Sequence, residues 1–237
     1  MPSSTINCMV VSRRKPFCLL AVGLQGAGKT YNLERLVNRS GRRMVLVYNT
    51  SNPDDWKGYI EIELLYDVKK KRLAFIYEGR QFDFQKYYLK KFKGKKVKAD
   101  EMEGLSETEI KRGEKQLFRH IKKMSGLFFI LDDASTVFDN GKLTRDQNAI
   151  FKGKNYNVWF AFVFHGANLV PPRMWNAVTH IRMFYNNTQP PPNKRNIITN
   201  YSILLKMYQV LRKLPKRSFI TLDVLLEKVT ITPYYPR

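Results

Sequence analysis

The chain has 237 residues, of which 42 are Lys or Arg and 20 are Asp or Glu, giving a formal net charge of +22. Hydrophobic residues make up 43% and aromatic residues 13%, which excludes disorder throughout and allows a buried core. The length favours one domain or two small ones. An excess of positive charge on this scale favours a polyanion as partner, nucleic acid first, with a charge-rich soluble fold as the alternative.

Cysteine content and hydropathy exclude further classes of protein. Cys8 and Cys18 are too few for a disulfide framework or a zinc site and fit a reducing compartment. The apolar runs at 17–22 and 158–164 are far shorter than the ~20 residues of a membrane-spanning helix. The first run leads into a glycine loop rather than a signal-peptide cleavage site. We therefore expect a soluble protein without a transmembrane segment.

The first predicted elements are a strand, a helix and a second strand. Residues 17–22 are a continuous apolar run bounded by Gly23, and residues 44–48 are another. Between them, residues 29–38 have helical apolar spacing, with Gly41 as the stop. This order is a βαβ unit and predicts a parallel sheet covered on both faces.

Residues 52–105 differ in character and are predicted as a small, basic, β-rich insertion. Residues 59–64 alternate in hydropathy and residues 73–77 are apolar, as expected of strands. The stretch KYYLKKFKGKKVK at 86–98 interleaves aromatic residues with lysines. This pattern suits a nucleic-acid backbone with bases against the rings, or equally a solvated hairpin whose aromatic residues face inward.

The second half of the chain contains the remaining predicted elements. A capping box at 106–109 opens a helix to about residue 124. The other elements are strands at 127–131, 158–164 and 181–185, a helix within 139–155, a short helix after Pro171, and a helix at 203–214. Residues 186–237 are predicted as a basic C-terminal extension that lines a pore, packs on a neighbouring subunit or docks on a capsid.

The segment GLQGAGKT at 23–30 matches the phosphate-binding loop G-x-x-x-x-G-K-[ST], placed between a predicted strand and a predicted helix. In such a loop the backbone N–H groups and the helix N-terminus hold phosphates. Lys29 would reach the β- and γ-phosphates, and the Thr30 hydroxyl would ligate Mg²⁺. The predicted nucleotide-binding residues are Gly23, Leu24, Gln25, Gly26, Ala27, Gly28, Lys29, Thr30 and Tyr31. The alternative is a glycine-rich turn without a nucleotide; the missing guanine signature N-K-x-D favours ATP.

A second motif, LFFILDD at 127–133, places Asp132 and Asp133 at the end of an apolar strand. Two adjacent carboxylates are costly unless a cation pairs with them. We therefore predict that Asp132 holds Mg²⁺ and that Asp133 orients and deprotonates a water near the γ-phosphate. The alternative is an aspartate pair that caps the following helix. His165 ends the strand at 158–164, where it would contact the γ-phosphate or the attacking water, or be a structural histidine.

These motifs, in this order, resemble the FtsK–HerA superfamily of DNA-pumping ATPases. The stretch after Thr144 is most similar to the genome-packaging ATPases of tailless icosahedral viruses and phages. The resemblance covers roughly residues 17–50 and 120–185. It implies an α/β P-loop NTPase fold, with a mainly parallel central sheet flanked by helices in an additional-strand, RecA-like core.

The resemblance also implies an activity and partners. Its members form homo-oligomeric rings that move double-stranded DNA by hydrolysing ATP with Mg²⁺. A packaging role implies capsid vertex proteins as further partners, in the host cytoplasm or at the virion. By position, the Walker A residues are Lys29 and Thr30, the Walker B residues are Asp132 and Asp133, and His165 stands where the family has Gln or Asn.

This chain departs from the family pattern at two places. Asp133 replaces the usual Glu and is one methylene shorter, which puts its role as the base in doubt. The family's trans-acting arginine falls where this chain reads Phe151-Lys152-Gly153-Lys154. Lys154 lacks the planar fork of arginine, and Arg145 and Arg173 are the other candidates. The sequence does not choose among them.

Other functions stay open at this point. One is a morphogenesis or export ATPase similar to the zonula-occludens-toxin-like proteins of filamentous phages, although those usually carry a membrane helix. Others are a basic P-loop protein that binds nucleic acid without hydrolysis, and a small-molecule kinase. The sequence favours the packaging-type translocase, as a single domain at 1–237 with the insertion and the extension described above.

Overall fold

The structure is a computed structural model that describes residues 17–50, 52, 54–100, 102, 104–138 and 158–234. Within these residues, one 11-stranded sheet has the order β11-β10-β9-β1-β8-β7-β2-β6-β3-β4-β5. The strands are β1 (Cys18–Val22), β2 (Met44–Asn49), β3 (Ile60–Asp67), β4 (Arg72–Tyr77), β5 (Arg80–Asp83), β6 (Lys96–Asp100), β7 (Leu127–Asp132), β8 (Trp159–Phe164), β9 (His180–Phe184), β10 (Phe219–Asp223) and β11 (Lys228–Thr232). The helices are α1 (Lys29–Ser40), α2 (Phe84–Phe92), α3 (Glu107–Ile121), α4 (Ala134–Val137), α5 (Pro172–Ala177) and α6 (Tyr201–Leu211).

The centre of the sheet is parallel. Strands β9, β1, β8, β7, β2, β6 and β3 are parallel neighbours, and antiparallel strands extend both edges. Strand β8 lies between β1, which precedes the glycine loop, and β7, which ends in Asp132. The carboxyl ends of β1, β8 and β7 therefore meet at one edge of the sheet.

Helices cover both faces of this sheet. Alternate residues of β1 point to opposite sides, so that Leu19 packs with Leu33 of α1, while Leu20 belongs to the core on the other face. That second core includes residues of α2, α3, α5 and α6. The fold is thus the predicted α/β class, with continuous apolar strands because both faces are buried.

The helix boundaries follow the local signals in the sequence. Helix α1 ends at Gly41, whose φ of 64° lies in the left-handed region that a helix stop requires. Ser106 and Glu109 form the predicted capping box at the start of α3. The helix expected within 139–155 lies outside the described residues. No helix within the described ranges is long and apolar enough to span a membrane.

Two parts of the structure differ from the sequence expectation. The stretch 86–98 is not a hairpin but the end of α2 followed by β6, which joins the main sheet between β2 and β3. Tyr88 and Phe92 share the buried face of α2 with Phe84, so two aromatic residues of the stretch face inward, whereas Tyr87 is 40% exposed. The C-terminal hairpin of β10 and β11 was not predicted.

Candidate nucleotide-binding site

The glycine loop lies at the carboxyl end of β1, where the backbone of neighbouring strands anchors it. The N–H of Gly23 donates to the carbonyl of Phe164 (3.1 Å), and that of Leu24 to the carbonyl of Tyr185 (3.0 Å). A Cβ at Gly23 would lie 2.6 Å from the Cβ of Phe184, so only glycine fits there. The loop therefore begins at a fixed point between the ends of β8 and β9.

The other end of the loop turns into α1. Gly26 and Gly28 have φ values of 72° and 88°, in the region that glycine alone adopts without strain. Thr30 is half-buried in the first turn of α1, whereas Gln25 is exposed and Tyr31 is 63% exposed. This geometry directs the N-terminus of α1, with its positive dipole end, toward the loop.

Lys29 is buried at the centre of the site. Its Nζ donates to the carbonyls of Gly23 (2.7 Å) and Leu24 (2.8 Å), and lies 3.2 Å from Nδ1 of His165. Burial lowers the pKa of Lys29 to about 8, and the nearby carboxylates of Asp132 and Asp133 oppose this shift. The ammonium is thus held by weak carbonyl acceptors that a phosphate group would replace favourably.

Asp132 ends β7 and has an indole as its partner. The Nε1–H of Trp56 donates to Oδ2 of Asp132 at 2.7 Å, and both side chains are about 2% exposed. Burial raises the pKa of Asp132 to about 6, while the bond from Trp56 and the charge of Lys29 hold it lower than burial alone would.

Asp133 follows in a strained backbone conformation. Its φ of 56° lies in the left-handed region, which costs a non-glycine residue about 1–3 kcal/mol. Thr50, after the neighbouring strand β2, donates its hydroxyl to the carbonyls of Asp132 (2.8 Å) and Asp133 (2.9 Å). The hydroxyl of Ser135 donates to the Asp133 carboxylate. These contacts fix the backbone at Asp133 and the orientation of its carboxylate.

His165 connects the two halves of the site. Its Nδ1 faces the Lys29 ammonium at 3.2 Å, and its Nε2 lies 3.6 Å from Oδ2 of Asp133. Because an ammonium only donates, Nδ1 must accept and Nε2 carries the proton. Burial and the charge of Lys29 lower the pKa of His165, so the ring is neutral at pH 7.

The residues fit a Mg²⁺ ion that arrives with its nucleotide. Within the described residues, no group of three or more His, Cys, Asp or Glu side chains could hold a metal by itself. Mg²⁺ is commonly bound by one or two carboxylates together with substrate phosphates and waters. The hydroxyl of Thr30 and the carboxylate of Asp132 are ligands of this kind. The raised pKa of Asp132 reflects a buried carboxylate that a cation would stabilise.

The structure thus brings Lys29, Asp132, Asp133 and His165 together. Of the candidates for a trans-acting cation, Arg145 and Lys154 lie outside the described residues. Arg173 is exposed on α5.

Sequence reasoning missed Trp56 and Thr50, which belong to the connection after β2. The sequence did contain a signal that could have pointed to these two residues. Polar residues that follow two neighbouring parallel strands meet at one edge of the sheet, and β2 is the neighbour of β7.

Comparison with known proteins identifies the fold. No protein-family profile matches the sequence, and no curated protein is similar to it in sequence. Among solved structures, the genome-packaging NTPase B204 of Sulfolobus turreted icosahedral virus 2 with sulfate has a TM-score of 0.64 at 14% identity, covering 94% of this chain and 98% of B204. Its complex with ATP-γ-S has a TM-score of 0.60 at 16% identity, covering 92% and 96%.

A third match is the DNA-packaging ATPase B204 of Sulfolobus turreted icosahedral virus. It has a TM-score of 0.62 at 15% identity, and covers 94% of this chain and 100% of B204. At such identities the likeness concerns the fold. The chain therefore shares the α/β fold of B204, with the predicted mainly parallel sheet.

Proposed function

We propose that this chain, with the fold of an FtsK–HerA-type P-loop ATPase, hydrolyses ATP with Mg²⁺ and uses the energy to move double-stranded DNA, as a viral genome-packaging motor. One observation carries the proposal: Lys29, His165 and Asp133 form a continuous chain, with distances of 3.2 Å and 3.6 Å, although they are far apart in sequence. A glycine-rich turn without a nucleotide would have no need for a buried lysine and two acids beside it.

Phosphate binding begins with a movement of Lys29. Its ammonium exchanges the carbonyls of Gly23 and Leu24 for the β- and γ-phosphate oxygens, which are stronger acceptors because they are charged. Backbone N–H groups of the loop and the N-terminus of α1 bind the remaining phosphate oxygens. The negative charge of the phosphates raises the pKa of Lys29 above about 8 and keeps it protonated.

The two acids have different tasks. Asp132 and Thr30 would hold the Mg²⁺, which would supply positive charge to stabilise the negative charge that develops on the phosphates. Asp133 orients the attacking water and accepts its proton, with its carboxylate fixed by Ser135 and by the left-handed backbone. The Nε2–H of His165 would donate a hydrogen bond to the γ-phosphate, while its Nδ1 accepts from the Lys29 ammonium until Lys29 moves to the phosphates.

The proposed function also involves neighbouring subunits in a ring and a DNA partner. A cation from a neighbouring subunit, with Lys154, Arg145 and Arg173 as the candidates, would stabilise the charge of the transition state. The net charge of +22 supports a DNA partner, and the neighbours in the fold comparison are named as genome-packaging and DNA-packaging enzymes.

Phosphate release measured with and without duplex DNA tests this function, beside a sizing run with a non-hydrolysable ATP analogue. We expect DNA to stimulate turnover, the analogue to shift the chain to a multimer, and Lys29→Ala to abolish both effects. The matched control is Lys57→Ala, because the side chain of Lys57 is 82% exposed and its ion pair with Asp54 lies at the surface, where such pairs contribute little. DNA-independent hydrolysis by a folded monomer would contradict translocation, and no hydrolysis at all would contradict the enzyme.

A further inference from the structure

A groove of about 610 Å³ lies far from the nucleotide site. Three elements form it: the turn into β4, the start of α2, and the last turns of α3. In the sheet, β4 is six strand positions from β1, so about 29 Å separates the two regions at ~4.8 Å per strand. The groove is therefore a separate site, and a nucleotide bound at the glycine loop does not reach it.

The lining of the groove is strongly cationic. Five Lys or Arg residues converge on it with a single carboxylate; the cations are Lys71, Arg72, Lys86, Arg119 and Lys123. That carboxylate, Asp83, is already engaged by the guanidinium of Arg72 (2.8 Å) and by the backbone N–H of Lys86 (3.0 Å). Asp83 therefore orders the groove through Arg72 and Lys86, and Lys and Arg residues outnumber carboxylates in its lining by five to one.

The ordinary structural explanation accounts for only part of this charge. Arg119 and His120 belong to the last turn of α3, where cations stabilise the helix dipole. Lys71 and Lys86 come from two other elements, so the dipole of α3 does not explain why they line the groove. Burial and the nearby charge of Lys123 lower the pKa of His120, so its ring is neutral at pH 7 and adds no charge.

The frame of the groove is preorganised. The side chain of Gln116 in α3 accepts from the N–H of Leu73 (2.7 Å) and donates to the carbonyl of Lys71 (2.9 Å). The oxygen and the nitrogen of the Gln116 amide thus both hold the turn before β4 against α3. The ring of His120 packs against Phe84 of α2, with centroids 5.9 Å apart. A ligand with repeated negative charges would bind without first ordering these elements.

We propose that this groove binds the phosphate backbone of duplex DNA. The lining is polar or charged apart from Leu73, which is 1% exposed. An interface for a protein partner would be expected to have aromatic or aliphatic anchors at its centre, whereas DNA interfaces are polar and positively charged. The identity of the polyanion as DNA rests on the proposed function.

The test is the binding of a short fluorescein-labelled duplex, followed by anisotropy at several salt concentrations. The variant Lys86→Glu/Lys123→Glu removes cations from two walls of the groove. The matched control is Lys93→Glu/Lys95→Glu, which makes the same change of charge at exposed lysines beyond the other end of α2. ATP hydrolysis without DNA and thermal unfolding are measured on every protein.

We expect the groove variant to bind duplex at least about 10-fold more weakly between about 50 and 200 mM salt, and its salt slope to fall by about 2. Its DNA-free hydrolysis and its melting temperature should be unchanged. An equal loss of duplex affinity in the control would indicate that DNA responds to the overall positive charge rather than to the groove. Unchanged affinity in the groove variant would place the DNA contact elsewhere on the chain. Displacement of the duplex by millimolar inorganic phosphate at constant ionic strength would assign the groove to a small anion. Each of these three results overturns the proposal, while loss of hydrolysis in the unsubstituted chain would instead refute the proposed function.

Discussion

The hydrogen bond from Trp56 to Asp132 should set the pH at which the metal site works. The substitution Trp56→Phe keeps an aromatic ring in the buried position and removes the N–H that donates to Oδ2 at 2.7 Å, together with part of the ring volume. Hydrogen bonds to charged groups contribute about 1.5–3 kcal/mol. Because one pKa unit corresponds to about 1.4 kcal/mol, losing the bond should raise the pKa of Asp132 by about 1–2 units.

The consequence for the metal follows from this shift. Burial places the pKa of Asp132 at about 6, so about nine tenths of the carboxylate is ionised at pH 7. In the variant the pKa would rise to about 7–8, and between about a half and a tenth would be ionised at the same pH. Since only the ionised form binds Mg²⁺, the apparent Mg²⁺ affinity should fall about 2- to 10-fold at pH 7.

The assay is ATP hydrolysis as a function of Mg²⁺ concentration at pH 7 and near pH 9. Trp56→Phe should need more Mg²⁺ than the unsubstituted chain at pH 7, and the difference should largely disappear near pH 9. The control is Trp175→Phe, since the buried Nε1 of Trp175 has no hydrogen-bond partner in the described part of the chain. An unchanged Mg²⁺ midpoint at pH 7, or an equal deficit at both pH values, would refute this reasoning.

Three further substitutions test other contacts of the site. Without Mg²⁺ at pH 7, Asp132→Asn should raise the melting temperature. Burial raises the pKa of Asp132 to about 6, so the folded state binds more protons than the unfolded state between about pH 4 and 6. The ionised carboxylate present at pH 7 therefore destabilises the folded state by up to about 3 kcal/mol. A lower melting temperature in calorimetry would contradict this. Gly23→Ala should destabilise the fold by about 1–3 kcal/mol in urea titrations, because its Cβ meets that of Phe184 at 2.6 Å; a neutral result would count against the packing. For His165, replacement by Asn keeps an acceptor for Lys29 and should retain turnover, whereas replacement by Ala should lower kcat at least about 10-fold. Equal rates in the two variants would remove His165 from the mechanism.

The parallel core was predictable because its strands are buried on both faces. Strands β2, β7 and β8 are buried along their whole length, and such strands read as continuous apolar runs. The glycine loop and the paired acids follow these runs directly. Their meeting across the sheet follows from the parallel order, with β8 between the two strands.

Other elements left no clear pattern in the sequence. Strand β11 alternates polar and apolar residues over only five positions, and it is exposed over most of its length, so this alternation marks no buried face. Helix α2 has Phe84, Tyr88 and Phe92 at helical spacing, but it is only nine residues long and rich in lysine, so this signal is weak. The contact between Trp56 and Asp132 depends on how the connection after β2 folds over the neighbouring strand, and no motif encodes that path.

A structure of the chain with Mg²⁺ and a non-hydrolysable ATP analogue tests the central claim most directly. The account predicts that Nζ of Lys29 leaves the carbonyls of Gly23 and Leu24 for the γ-phosphate, and that the metal lies between Thr30 and Asp132. If Lys29 kept its two carbonyl bonds of 2.7 Å and 2.8 Å, or if the analogue bound away from the glycine loop, the account would be contradicted.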